Sequence, residues 1–291
     1  MRFHVGETMT AVENYLPLAK AAESMGYHGF AISDSILYPR DSWTSYDYGG
    51  DGSRKFIEKK PVVESFVLAS AIGVTTSLEI TTSVVKLPMR HPVYAAKLAS
   101  SVAAIVRGRF NFGVGLSPWP EDYLALGIPY EGRGRRLDEC IDIVRGLTGG
   151  GYFEYHGACY DFPPIKINPV PARPLPIIVG GHSDAALKRA ARNDGWSCAG
   201  ATFDDLAGMI RKLASFRADY GRADDFRIFE SDIGNVTYDD VRRKEDAGVT
   251  DLIVYFRNIY DVEEDREPIL EKIDRFKRFS DEVLARTSGH A

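Results

Sequence analysis

The chain has 291 residues, with 41 acidic and 36 Lys or Arg side chains and a formal net charge of −5. A hydrophobic content of 44% and a charged content of 26% exclude a largely disordered, collagen-like or coiled-coil chain. The acidic balance argues against a nucleic-acid partner, which requires a basic surface.

Short apolar or β-branched runs alternate with segments of helical periodicity in the first half of the chain. In residues 11–25 apolar side chains recur every three or four positions, and Gly26 is typical of a helix end. The strands predicted in this half are residues 1–6, 29–33, 78–84 and 110–115. The helices predicted here are residues 11–25, 62–75, 92–106 and 134–146.

The second half repeats this alternation. Its predicted strands are residues 176–179, 226–229 with an extension, 195–199 and 251–256. Its predicted helices are residues 183–192, 203–220, 237–247 and 262–285. Strands that alternate with helices predict a parallel sheet. Eight such units in a chain of this length favour a closed (β/α)8 TIM barrel over an open doubly wound sheet.

Two long segments interrupt the alternation, and we treat both as insertions in one domain over residues 1–291. Residues 35–61 follow the second strand, so they leave from the active-site face of a barrel as a candidate lid or a solvated loop. Their aromatic residues are candidates for an apolar substrate wall or for simple packing: Tyr38, Trp43, Tyr46 and Tyr48. Residues 147–174 follow the fourth helix, and their aromatic side chains predict a small hairpin packed on the barrel.

Apolar runs and cysteine spacing limit where the protein acts. No run reaches 18 apolar residues, and the first ten residues lack the apolar core of a secretion signal. The three cysteines, Cys140, Cys159 and Cys198, lie far apart and form no Cys-x-x-Cys pair. We therefore expect reduced thiols, no metal site, no membrane contact and a cytoplasmic location.

The ends of the predicted strands carry the candidate chemistry, since a barrel holds its active site there. Gly180 and Gly181 permit close approach of the backbone to a ligand, and Ser183 can cap the next helix. The free N–H groups at that helix start attract an anion such as a cofactor phosphate, although a tight turn without a ligand is an equal alternative. Gly115, after the fourth strand, leaves room for a flat group over the mouth.

Motifs for other catalytic classes are missing from the sequence. It contains no G-x-S-x-G, H-E-x-x-H or Walker A motif and no complete G-x-G-x-x-G dinucleotide signature. Lys86 after the third strand is compatible with a Schiff-base lysine, but an exposed lysine is the more common case. An anion-binding turn without a strong nucleophile or metal cage suggests a bound cofactor that does the chemistry.

An ordered set of short motifs resembles the luciferase-like flavin and deazaflavin oxidoreductases, most closely the branch that uses coenzyme F-420. The set covers nearly the whole chain, and its order is more specific than any single piece. Its main members are Ala21–Gly26, Leu87–Pro92, Gly108–Phe110, Gly113–Gly115, Arg133–Gly134, Pro169–Pro171, Gly180–Gly181, Asp194–Trp196 and Asp246–Thr250.

The resemblance implies a barrel, often dimeric, with the cofactor ring over its carboxyl mouth. It implies a non-proline cis peptide bond at Ser83–Val84, and it matches the family's acidic residue after the second strand to Asp34. The implied cofactor contacts are Ser83, Val84, Gly115, Gly180, Gly181, His182, Ala199 and Gly200.

Two departures from the family pattern argue against a sugar-phosphate dehydrogenase. Ser35 stands where many relatives have a histidine, and Leu116–Trp119 lacks the acidic residue that those dehydrogenases carry. No general acid is fixed by the sequence. The polar candidates for catalysis are Asp34, Trp119 and Glu7, with Tyr38 as a further one.

We therefore expect an oxidoreductase that transfers hydride between coenzyme F-420 and a small organic substrate. Three alternatives stay open: an FMN-dependent monooxygenase that uses oxygen, a non-catalytic flavin-binding protein, and an unrelated barrel lyase that uses Lys86. The only macromolecular partner expected is a second copy of the chain in a homodimer.

Overall fold

The core of the computed structural model, which describes residues 1–42, 44–45 and 52–287, is a closed barrel of eight parallel strands. The strands are β1 (Arg2–Gly6), β2 (Gly29–Ile32), β3 (Glu79–Thr82), β4 (Phe110–Gly115), β5 (Ile177–Gly180), β6 (Gly195–Ala199), β7 (Arg227–Ile233) and β8 (Asp251–Tyr255). Neighbours follow chain order around the barrel, and β8 closes it against β1, where Phe3 lies opposite Leu252. A two-residue strand, Val85–Lys86, extends the β3 edge and pairs with the end of β4.

Each strand is followed by one main helix, which confirms the predicted (β/α)8 fold. The helices are α1 (Tyr15–Ser24), α2 (Ser65–Thr75), α3 (Pro92–Ile105), α4 (Arg133–Thr148), α5 (Asp184–Ala191), α6 (Phe203–Asp219), α7 (Tyr238–Asp246) and α8 (Ile269–Phe279). A short extra helix, Pro120–Ala125, precedes α4. No helix in the part of the chain that the structure describes is long and apolar enough to cross a membrane.

Two of the predicted helix starts that differ from the structure are explained by a proline. The first helix begins at Tyr15 after a 3-10 turn over Val12–Asn14, because Pro17 lacks the N–H that would continue an α-helix from residue 11. The last helix begins at Ile269 rather than at residue 262. Pro268 is extended at its N-cap, and proline disfavours a helical conformation in the residue before it.

The amino end of the barrel contains a buried ionic network. Asp251 at the start of β8 accepts hydrogen bonds from His4 Nε2 at 2.7 Å and from Arg227 Nε at 3.0 Å. Arg227 also pairs with Glu79 at 3.1 Å and donates to Asn111 Oδ1 at 3.0 Å. The network joins strands on opposite sides of the barrel, so it fills the barrel interior at the amino ends of the strands.

Both predicted insertions are present. The hairpin after α4 pairs Phe153–His156 with Asp161–Ile165, and the rings of Tyr155 and Phe162 stack at 6.2 Å between centroids. Glu121 holds the insertion after β2, since it accepts hydrogen bonds from the Thr44 backbone N–H at 3.2 Å and hydroxyl at 3.1 Å. Tyr38 is described, whereas the other aromatic candidates lie outside the described residues: Trp43, Tyr46 and Tyr48.

Candidate functional site at the barrel mouth

A cavity of about 450 Å³ lies at the carboxyl ends of the strands. It brings together all eight of the predicted cofactor contacts: Ser83, Val84, Gly115, Gly180, Gly181, His182, Ala199 and Gly200. Asp34 and Trp119 also line it, whereas Glu7 and Tyr38 do not. The cavity therefore lies where the sequence prediction places the site, and two of the four catalytic candidates line it.

The turn from β5 into α5 has the structure of an anion site. Ser183 is the N-cap of α5, and its Oγ accepts a hydrogen bond from Ala186 N at 3.3 Å, as the sequence predicts. Gly181 has φ +120°, and a Cβ there would lie 2.9 Å from the Cβ of Ala186. The backbone therefore passes so close to the first turn of α5 that no side chain fits between the cavity and the helix start.

Two aromatic side chains hold this turn from behind. Trp196 donates from Nε1 to the Gly181 carbonyl at 2.8 Å. His182 lies between the ends of β5 and β6, with its Nε2 atom 3.4 Å from both Cys198 Sγ and Ala199 N. Burial lowers the pKa of His182, so its ring is neutral near pH 7 and can orient a ligand without adding charge.

Val84 forms a ridge at the base of the cavity. The Ser83–Val84 peptide bond is cis, as the resemblance implies. A Cβ on Gly115 would lie 2.6 Å from Val84 Cγ2, and a Cβ on Gly180 would lie 3.1 Å from Val84 Cγ1. The space beside Gly115 is therefore filled by Val84, which corrects the expectation that this glycine makes room for a flat ligand directly.

The Asp34 side chain is an ionised carboxylate that accepts four hydrogen bonds from its neighbours. Its carboxylate accepts two hydrogen bonds from Arg90, at 2.7 and 2.9 Å, one from Ser65 Oγ and one from the Lys86 backbone N–H. Burial alone would raise the pKa of Asp34, but the hydrogen bonds and charge of Arg90 outweigh it and hold the pKa below its usual range. A carboxylate so held does not suit the predicted role of a proton donor.

Glu7 belongs to a different cluster, so its predicted catalytic role is not supported. Its carboxylate lies 3.1 Å from Arg257 Nε and 3.7 Å from Lys272 Nζ, and Asp265 completes the group. Burial raises the pKa of Glu7 against these opposing cations. The side chain joins the end of β1 to α8 and does not face the cavity.

Trp119 forms one wall of the cavity beside two buried cations that no sequence pattern brings together. The guanidinium of Arg54 lies 3.9 Å from the Trp119 ring centroid, and Lys86 Nζ lies 4.4 Å from it. Asp122 accepts a hydrogen bond from Arg54 at 2.7 Å and one from Ser117 Oγ at 2.8 Å. Lys86 follows β3, so the sequence indicates that it lies near the barrel mouth. Nothing in the sequence indicates that Arg54 lies beside Trp119.

Three polar residues at the mouth were not assigned from the sequence. Arg189 forms a bidentate ion pair with Asp138, in which Nε donates to Oδ1 at 2.7 Å and Nη2 donates to Oδ2 at 3.0 Å. The guanidinium carbon of Arg133 lies 3.9 Å from the ring centroid of Tyr130, and Arg133 has no acidic partner among the described residues. Ser231 is buried, and its hydroxyl has no hydrogen-bond partner within the described part of the chain. All three line the cavity and leave polar capacity for a ligand.

This set of residues fits a flavin-like cofactor. The glycine turn and the start of α5 suit a phosphate, the Val84 ridge suits the face of a flat ring, and the unpartnered Ser231 hydroxyl suits a polar atom of the ligand. Among the described lining residues, the charged side chains are three cations, Lys86, Arg133 and Arg189, and one carboxylate, Asp34. Within the same residues no group of three His, Cys, Asp or Glu side chains could hold a metal ion.

Comparison with known proteins gives one family and several similar folds. The family model for luciferase-like monooxygenases matches residues 2–231. An uncharacterized protein from Mycobacterium tuberculosis is 49% identical over 287 residues, which cover 98% of this chain and 100% of the relative.

Two solved structures show the fold at low sequence identity. Monooxygenase RslO1 from Streptomyces bottropensis has a TM-score of 0.77 and 16% identity, covering 99% of this chain and 100% of its own. The coenzyme F-420-dependent tetrahydromethanopterin reductase from Methanopyrus kandleri has a TM-score of 0.74 and 14% identity. The match covers 98% of this chain and 99% of the reductase chain.

Proposed function

The chain belongs to the luciferase-like monooxygenase family, and we propose that it is an oxidoreductase that transfers hydride between coenzyme F-420 and a small organic substrate. The observation that carries the proposal is the pairing of an anion-binding turn with Arg133, a mouth cation without an acidic partner among the described residues. F-420 carries a phosphodiester and glutamate carboxylates, whereas FMN carries one phosphate. A cation beyond the phosphate turn therefore supports the more acidic cofactor.

Different residues of the cavity would bind the phosphate and the ring of the cofactor and surround the substrate. The turn over residues 180–183 and the start of α5 would hold the phosphate, and Val84 would support the ring. When bound, the deazaflavin supplies the ring carbon that gives or takes the hydride. Apolar side chains around Trp119 exclude water from the substrate end of the cavity, among them Met9, Phe56, Ile57 and Ile259. Asp34 positions the backbone of Lys86 rather than donating a proton.

Parallel equilibrium titrations with F-420 and FMN test the proposal. We expect stoichiometric binding of F-420, seen as quenching of tryptophan fluorescence, and binding of FMN at least tenfold weaker. Tight binding of FMN with oxygen uptake in its reduced form would instead identify a monooxygenase. Binding of neither cofactor would overturn the proposal.

Replacement of Arg133 by Ala tests the choice of cofactor. We expect Arg133→Ala to weaken F-420 about tenfold, because a charge-assisted hydrogen bond is lost, and to leave unchanged the affinity for the deazaflavin chromophore without its acidic tail. Arg135→Ala is the matched control, since Arg135 lies on the same turn of α4 but is exposed and does not line the cavity. Equal losses in the two variants would show a general effect of surface charge.

We further propose that the protein acts as a homodimer. Apolar side chains on the outer faces of α2 and α3 support this, because Val67, Val74 and Tyr94 are each 64% exposed and Ile105 is 51% exposed. Such neighbouring patches on adjacent helices mark an interaction surface.

A further inference from the structure

We propose that Lys86 is the catalytic residue that binds the reacting oxygen of the substrate and supplies its proton. This inference rests on the proposed function, because the oxygen becomes basic when the carbon that bears it receives a hydride.

The backbone fixes Lys86 at the mouth from two sides. Lys86 pairs with Gly115 at the end of β4, and its backbone N–H donates to Asp34 Oδ2 at 2.9 Å. The side chain is 9% exposed and lines the cavity. The Lys86 backbone is therefore held at the mouth by strand pairing and by a buried carboxylate, and its short reach into the cavity starts from a fixed point.

The charges around Lys86 leave its ammonium without a hydrogen bond. Asp34 is engaged by Arg90 at 2.7 Å, and Asp122 is engaged by Arg54 at 2.7 Å. Lys86 Nζ lies 3.9 Å from the nearer Asp122 oxygen, beyond hydrogen-bond distance, and no described residue accepts a hydrogen bond from it. A buried ammonium with unused N–H groups is costly, so an oxygen in the cavity would stabilise it.

The protonation of Lys86 suits a donor that works near neutral pH. Burial is the largest influence and lowers its pKa to about 8; Asp34 and Asp122 oppose this change, while Arg54 and Arg90 add to it. The amine is therefore mostly protonated at pH 7, yet it can release its proton and recover it from solvent. The buried geometry and this pKa support the same role.

The surroundings of the ammonium indicate the form of the substrate. The face of Trp119 lies 4.4 Å from Nζ, and the neighbouring wall is apolar. An apolar molecule with a carbonyl group fits this combination. In the step we propose, the carbonyl carbon receives a hydride, with its two electrons, from the reduced deazaflavin. The carbon–oxygen π bond breaks and the oxygen takes a proton from Lys86. The products are an alcohol, the oxidised cofactor, which releases its ring N–H proton to solvent, and a neutral amine that solvent reprotonates.

Calorimetric titration with benzoate, an apolar probe with an oxygen acceptor, tests the site without turnover. We expect the wild-type affinity to fall at least tenfold between pH 6.5 and pH 9.5 as Lys86 loses its proton. Lys86→Met removes most of the affinity and its pH dependence, whereas Lys86→Arg keeps the affinity and shows no fall over this range. Lys55→Met, on an exposed lysine of the insertion, should behave as wild type.

The same samples separate the two proposals. Each variant is first checked for a cooperative melting transition and then titrated with F-420, whose binding Lys86→Met should leave within threefold of wild type. If the wild-type protein does not bind F-420, the proposed function is wrong. The benzoate titration tests the proposed oxygen site independently of that result. A folded Lys86→Met protein with the wild-type benzoate profile would overturn the inference. A borohydride-trapped adduct of cyclohexanone on Lys86 would also overturn it, since the lysine would then be a nucleophile.

Discussion

Gly181→Ala should weaken binding of the cofactor about a hundredfold while the barrel stays folded. The backbone at Gly181 has φ +120°, and a Cβ would lie 2.9 Å from Ala186 at the start of α5. Because Ser183 caps that helix, a shifted turn also moves the N–H groups that we assign to the phosphate. The measurement is an equilibrium titration with the cofactor that the wild-type protein binds.

Gly221→Ala is the control for backbone strain. Gly221 has φ +63° after α6, and a Cβ there meets nothing within 4 Å. We expect a loss of stability of about 1–2 kcal/mol from the left-handed conformation and no change in cofactor affinity. Wild-type affinity in a folded Gly181→Ala protein would remove the turn from the site.

Asp251→Ala should lower the free energy of unfolding by about 3–5 kcal/mol, because it removes a buried carboxylate and leaves the Arg227 guanidinium and the buried His4 ring without their acceptor. Asp251 is fully buried and accepts hydrogen bonds from His4 at 2.7 Å and Arg227 at 3.0 Å. The network lies at the opposite end of the barrel from the cavity. Chemical denaturation should therefore show the loss, while the cofactor affinity of the folded fraction stays unchanged.

The pH dependence of this effect has a defined sign. Burial opposes ionisation of Asp251, but the hydrogen bonds of His4 and Arg227 outweigh it and hold its pKa well below the usual range. A lowered folded-state pKa contributes its full stability above the unfolded pKa of about 4, and the contribution is lost progressively as the pH falls from there through the lower folded-state pKa. The difference between wild type and Asp251→Ala should thus shrink in acid. Asp184→Ala, which removes an exposed ion pair with Lys212, should change stability little at any pH.

The position of the candidate site was predictable because strand ends converge in a barrel. Gly115, Gly180 and Gly200 lie far apart in the sequence, yet each follows a short apolar run, and the alternation of strands and helices brings such ends to one face. The same rule wrongly selected Glu7. Its partners, Arg257 and Lys272, are about 250 residues away and turn its side chain away from the mouth.

The buried cations beside Trp119 show what local patterns cannot predict. Lys86 follows a strand, so its position was visible, but its environment depends on Asp122 and on Arg54 from the insertion after β2. Glu121 tethers that insertion through the backbone and hydroxyl of Thr44. No periodicity or capping signal reports contacts between a long loop and another strand end, so the charge network emerges only from the folded chain.

Amide hydrogen–deuterium exchange with and without bound cofactor tests most directly whether the cofactor occupies the barrel mouth. We predict slower exchange in peptides that cover residues 180–186, which we propose hold the phosphate, and residues 83–86, which include the Val84 ridge that we propose supports the ring. Peptides from the hairpin at residues 153–165 should be unaffected. Protection confined to the hairpin or to the outer faces of α2 and α3, with unchanged exchange at residues 180–186, would contradict the account.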